Sequence, residues 1–192
     1  MKKKVCIIVA HPDDETIWMG GTLLKNKNSW KTTIISLCRS KDKDRAPKFK
    51  KVCKIYKAKC FISNLEDEKL NKIQLNEVNK RISRYSENYY DCIFTHGKNG
   101  EYGHIRHIDV HKSVKNLLAK KTLQAKKVFY FSYNKKGKYS YPNKNSEKFI
   151  KLDDKLHKTK TKIIQELYGF DKKSFENLCC RDKEAFKVEE IL

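Results

Sequence analysis

The chain has 192 residues, enough for one domain with a real core and no obvious room for a second, so residues 1–192 are read as a single domain. At 39% hydrophobic and 35% charged residues it is too apolar for a disordered chain and too polar for a membrane-embedded one. The net charge of +21, from 44 Lys and Arg against 23 Asp and Glu, attracts anions of every kind, but the lysines are scattered through all segments. No helix-turn-helix, zinc finger or aromatic-rich RNA signature accompanies them, so nucleic acid is not the expected partner. No stretch approaches the roughly 20 apolar residues of a spanning helix. The seven cysteines (Cys6, Cys38, Cys53, Cys60, Cys92, Cys179 and Cys180) include no Cys-x-x-Cys pair, and most sit at apolar positions. A reducing, cytoplasmic setting is the simplest expectation.

Residues 5–9 are short, continuous and β-branched, as in a strand buried on both faces. After the loop that follows, Ile17, Gly20, Gly21 and Leu24 recur at helical spacing, and Gly20-Gly21 is expected to let this helix approach the sheet. Residues 32–38 read as a second strand, and Pro47 opens a helix with Phe49, Val52, Cys53 and Tyr56 on one face. Residues 59–62 form a third strand, Leu75, Val78, Ile82 and Tyr85 mark a third helix, and residues 91–95 a fourth strand. A helix through Val110, Val114, Leu117 and Leu118 precedes a fifth strand at 128–133. A Lys, Tyr and Gly-rich loop with a short edge strand at 139–141 leads to a late helix ending at Gly169, and the tail with Phe175 and Phe186 is expected to form short helices. Strand and helix alternate, which predicts an α/β fold: a Rossmann-like, mostly parallel sheet with helices on both faces. Ligands in such sheets lie at the carboxyl ends of the strands.

Two stretches fall at those ends. The first, Ala10-His11-Pro12-Asp13-Asp14-Glu15, puts three carboxylates in a row after a buried strand, a costly arrangement unless the charge is paired or bound to an ion. Pro12 holds His11 extended, so that His11 and Asp14 can turn to one point while Asp13 faces elsewhere. A histidine and a carboxylate make an incomplete metal site, and a third ligand is expected downstream. The second stretch, Gly100-Glu101-Tyr102-Gly103-His104-Ile105-Arg106-His107, supplies candidates. On a helix His104, His107 and His111 share one face, and spacing alone allows either His104 or His107 to be the ligand.

With both motifs in this order, the chain resembles the LmbE-like or PIG-L-type zinc-dependent N-deacetylases, from the first strand to about Val114. The resemblance implies a zinc site of His11, Asp14 and His107 with a coordination position left open for water. Another divalent first-row ion would suit the same nitrogen and oxygen ligands. It further implies that Asp13 is the general base acting on the zinc-bound water and that His104 stabilises the oxyanion, with Tyr102 beside it. Arg45 is expected to reach the substrate, and His111 to be core or to support a ligand; His96 and His157 are not expected as ligands. Where many members carry Pro-Asp between the two histidines, this chain has Ile105-Arg106, and Arg106 is expected to alter the support of a histidine or to contact an anionic part of the substrate. The expected function is removal of an N-acetyl group from an N-acetylglucosamine-containing small molecule or glycoconjugate. The alternatives are an amidase for another N-acyl compound and a basic nucleic-acid-binding protein with a vestigial metal site. A homo-oligomer is compatible with this reading.

Overall fold

The structure is a computed structural model and describes residues 1–191. Five strands run parallel: β1 (Lys3–Val9), β2 (Trp30–Cys38), β3 (Lys59–Leu65), β4 (Tyr89–Thr95) and β5 (Gln124–Phe131). The connecting helices are α1 (Asp14–Asn26), α2 (Arg45–Ile55), α3 (Leu75–Tyr85), a short α4 (Gly100–Gly103) and α5 (Ile105–Ala119). A two-stranded hairpin, β6 (Tyr133–Lys136) and β7 (Tyr139–Pro142), precedes β8 (Lys148–Lys151). Then come α6 (Asp154–Lys162), a π-helical turn (Ile163–Leu167), α7 (Phe175–Cys179) and β9 (Lys183–Glu190). The seven-stranded sheet has the order β3-β2-β1-β4-β5-β9-β8, with β9 antiparallel to both of its neighbours, β5 and β8.

Alternation along β1 builds the two cores. Val5, Ile7 and Val9 pack with Ile17 and Trp18 of α1 and Phe49 and Val52 of α2, whereas Cys6, Ile8 and Ala10 pack with Val78 and Ile82 of α3 and Val110 and Val114 of α5. Helices therefore cover both faces, as the unbroken apolar run of β1 requires. The chain reverses its strand order between β1 and β4, and the crevice at their carboxyl ends is where open α/β sheets hold ligands.

Several expectations are corrected. Helix α2 begins at Arg45, two residues before Pro47, and β3 continues to Leu65. Phe186 lies in a strand, not a helix: β9 fills the gap between β5 and β8, and its charged residues Lys187 and Glu190 concealed an element whose Ala185 and Phe186 are fully buried. The residues at 139–141 belong to a separate hairpin, not to an edge of the main sheet. Gly21 faces Leu152, not the sheet; a Cβ there would lie 2.3 Å from the leucine side chain.

Helix α1 breaks at Met19 (φ −148°, ψ 19°), and the freed N–H groups of Gly21 and Thr22 donate to the buried carboxylate of Glu184 at 2.8 and 2.9 Å. The fully buried Lys160 pairs with the same carboxylate at 2.8 Å. Replacing Glu184 with Ala strands a buried ammonium and two amides, and is expected to cost about 3–5 kcal/mol in urea denaturation. The half-buried Cys60 is the one thiol not fully enclosed; its hydrogen bond with Cys53, aided by Lys50 and Lys54, brings its pKa down to about 7. It should therefore be the first cysteine alkylated by iodoacetamide, with a rate that rises as pH passes about 7 and the thiolate forms, as read by peptide mass spectrometry.

Candidate metal centre

His11 follows β1 directly, and His107 sits in the first turn of α5, which leaves the loop after β4; parallel pairing of β1 with β4 brings the two together. Each imidazole is oriented by a carboxylate. His11 Nε2 donates to Asp67 Oδ1 at 2.9 Å, and His107 Nδ1 donates to Glu101 Oε2 at 2.6 Å. Those bonds occupy one nitrogen of each ring, so His11 Nδ1 and His107 Nε2 are left facing each other across 3.2 Å, placed to offer lone pairs to a cation. Asp14 Oδ2 completes the triangle, 3.2 Å from His11 Nδ1 and 3.4 Å from His107 Nε2. Its other oxygen accepts from Trp18 Nε1 at 3.1 Å, which fixes the carboxylate's rotation.

Three acceptors at this range repel unless a cation lies among them. A tetrahedral zinc held at about 2.0–2.1 Å needs donors about 3.3–3.4 Å apart, which this triangle matches, and two imidazoles with one carboxylate is a donor set divalent first-row ions accept. The field of the cluster is strong on His11 and Asp14. Burial alone would lower the His11 pKa, but hydrogen bonds with Asp14 and Asp67 outweigh it and raise it well above the usual value, so a positive charge, a proton or the cation that displaces it, is favoured between His11 Nδ1 and Asp14. Burial would raise Asp14, yet His107 and His96 hold it well below the carboxylate range.

Asp13 turns away from this triangle, as its neighbour's role demands. Its backbone is at φ 110°, its carboxylate pairs with Arg45, and no side-chain cap is made to α1. Burial, then the charge of Asp14, pushes its pKa well above the usual value, with Arg45 opposing. His104 is the N-cap of α5; its Nδ1 accepts from Arg106 N at 3.3 Å, leaving the proton on Nε2. Burial, with the neighbouring His107 and His11, pushes its pKa down to about 4, so it is a neutral donor. A cavity of about 230 Å³ opens onto His11, Asp13, Asp14, Arg45, Tyr102 and His104. His107, fully buried, closes it from behind.

Other residues fall elsewhere. Arg106 is fully buried and does not reach the cavity; it binds Glu66 and Asp109 side chains and the carbonyls of Glu66 and Asn71, tying the loop after β3 to α5. The expected contact with an anionic substrate is thereby corrected. His96 lies behind the triangle, with Nε2 accepting from Ala10 N at 2.9 Å and Nδ1 donating to Glu101 at 2.7 Å. His111 donates to the His96 carbonyl at 2.9 Å, and His157 lies on α6, bonded to the Cys180 carbonyl. Sequence reasoning missed Asp67 and the role of Glu101. The acidic run Glu66-Asp67-Glu68 at the end of β3 was a usable signal, since that is the ligand-bearing rim. Glu101 carried none, because the loop between it and His107 is not helical throughout, Glu101 itself lying at φ 60°.

Glu101 accepts from His96, His107 and the amide of Gly97. Replacing it with Gln turns an N–H toward one of three donors, and divalent-cation affinity measured by equilibrium dialysis should fall about 10–100-fold.

Solved structures share this fold at low identity. The N,N'-diacetylchitobiose deacetylase from Pyrococcus horikoshii, complexed with its inhibitor MPG, superposes with a TM-score of 0.70 at 17% identity, over 98% of this chain and 84% of that one. The conserved protein TT1542 from Thermus thermophilus gives 0.68 at 14%, over 96% and 94%. GalB, the 4-carboxy-2-hydroxymuconate hydratase from Pseudomonas putida KT2440, gives 0.61 at 13%, over 86% and 78%, so the fold alone does not fix a reaction. No curated protein sequence matches the chain at a significant level. Residues 6–118, which carry both motifs and every donor of the triangle, match the family described as PIG-L, GlcNAc-PI de-N-acetylase, and the chain belongs to that family.

Proposed function

We propose that the protein is a metal-dependent N-deacetylase that hydrolyses the acetamide of an N-acetylglucosamine-containing small molecule or glycoconjugate, with zinc as the resident ion. The observation that carries the reading is the convergence of three metal-ligating atoms, His11 Nδ1, Asp14 Oδ2 and His107 Nε2, beside a cavity that also holds a second carboxylate, Asp13. When bound, the cation polarises the amide carbonyl and lowers the pKa of water toward about 7.

The chain's own groups divide the remaining work. Asp13, its carboxylate kept basic by burial and by Asp14, accepts a proton from the attacking water and returns it to the leaving nitrogen. His104 faces the same space with Nε2–H, and a neutral imidazole donor suits a developing oxyanion because it need not first lose or gain a proton. Tyr102 lines the wall beside it, its ring 5.7 Å from that of His104. Arg45, pointing into the cavity from the start of α2, holds Asp13 and offers its other N–H groups to sugar hydroxyls. Beyond Arg39, Asp42 and Asp67 the cavity continues into a wider one of about 720 Å³, which suits the remainder of a glycoconjugate.

The test combines elemental analysis of the purified protein with amine release from a panel of acetylated glucosamine conjugates and simple acyl amides. Release confined to the sugars is expected; release from acyl amides alone would favour a general amidase. Asp13→Ala should retain the ion and lose at least about 100-fold in kcat, the usual weight of a general base, and undiminished turnover would remove Asp13 from its role.

A further inference from the structure

The pair Asp13 and Arg45 is held from outside the region that matches the family. Residues 163–170 follow α6, and here the helix widens: Tyr168 N donates to Ile163 O at 3.0 Å, five residues back, and Phe170 N to Ile164 O at 3.1 Å. Such turns are uncommon and tend to occur where a side chain must be re-aimed. Gly169, at φ 81°, then reverses the chain. Both aromatic residues on either side of that glycine end against the site.

Tyr168 is fully buried, and its hydroxyl donates to Glu15 Oε1 at 2.7 Å. The other oxygen of Glu15 accepts the backbone N–H of Asp13 at 3.1 Å. This holds Asp13 at a φ of 110°, a left-handed conformation that a residue with a Cβ adopts only when its surroundings enforce it. Phe170 takes the other member: its ring centre lies 4.4 Å from the guanidinium carbon of Arg45, the geometry of a cation–π contact. Lys48, one turn after Arg45 on α2, donates to the Tyr168 carbonyl at 2.9 Å and ties the clamp to the helix it steers. One short segment thus grips the base through its backbone and the arginine through its face.

We propose that Tyr168 and Phe170 are positioning residues for Asp13 and Arg45, and that the π-helical turn exists to deliver them. The proposal rests on the deacetylase reading for its kinetic consequence but not for its geometry. The π face of Phe170, more than its bulk, is what holds Arg45 against Asp13.

The variants Phe170→Leu, Phe170→Tyr and Tyr168→Phe separate these effects. With a sugar substrate that the wild type turns over, Phe170→Leu and Tyr168→Phe should lower kcat about 10- to 100-fold, the effect of a small misplacement of reacting groups, with bound metal and Tm near wild type. Phe170→Tyr, which restores a π face, should recover most of the loss. A second readout needs no turnover: the Arg45 side-chain Nε–H signal, assigned through Arg45→Lys, should be ring-shifted and slow to exchange in wild type and Phe170→Tyr. It should lose both properties in Phe170→Leu. Wild-type kcat in both Phe170→Leu and Tyr168→Phe, or equal losses in Phe170→Leu and Phe170→Tyr, would overturn the proposal. If the wild type releases no amine from any substrate, the deacetylase reading falls, and the Arg45 signal alone decides whether Phe170 holds the arginine.

Discussion

Everything at this site depends on turning the inner edges of two imidazoles and one carboxylate toward a single point, where one positive charge can sit among them. A histidine beside a carboxylate normally shares a proton with it, and His11 and Asp14 by themselves would make such a pair. Here Asp67 and Glu101 each bind a ring nitrogen on the far side, so the near nitrogens are the ones left to face a cation. The sheet supplies the rest: β1 and β4 are neighbours, and the loops after them deliver one imidazole each to the same crevice. Remove either outer carboxylate and the tautomer is free to change, although all three inner donors are still present.

Much of this was legible in the residues themselves. The apolar run of β1, the proline after His11 and the two motifs led to the sheet, its order of elements and the converging donors. Asp67 was hidden because it lies in an acidic loop with no periodicity to single it out, and its partner is far away in the chain. Arg106 misled because an arginine beside two functional histidines reads as a substrate contact. Its guanidinium turns inward instead, where carboxylates and carbonyls satisfy nearly every donor. Strand β9 was misread as helix for a related reason: a strand inserted between two others buries residues in consecutive positions and keeps charges at its ends, so no alternation survives.

The last third of the chain, beyond the family match, proves to be less of an appendage than its sequence suggests. It contributes Glu184, which accepts the amides freed where α1 breaks, and Tyr168 and Phe170, which reach the site itself. The break at Met19 lies on the helix that begins with Asp14, so a distant strand steadies the element that carries one corner of the candidate metal triangle. The same region also contributes Phe175 and Glu176 to the wall of the cavity.

The order of the sheet leaves β8 as a rim strand, with no strand on its outer side among the described residues. Its four residues, Lys148-Phe149-Ile150-Lys151, bracket an apolar centre with ammonium groups, and Lys183 covers the Phe149 ring at 4.1 Å. A second molecule adding its own strand there would have to bring like charges together and strip their water. Some of the scattered basic charge thus serves as a fence along an open border and discourages growth of the sheet from one molecule into the next.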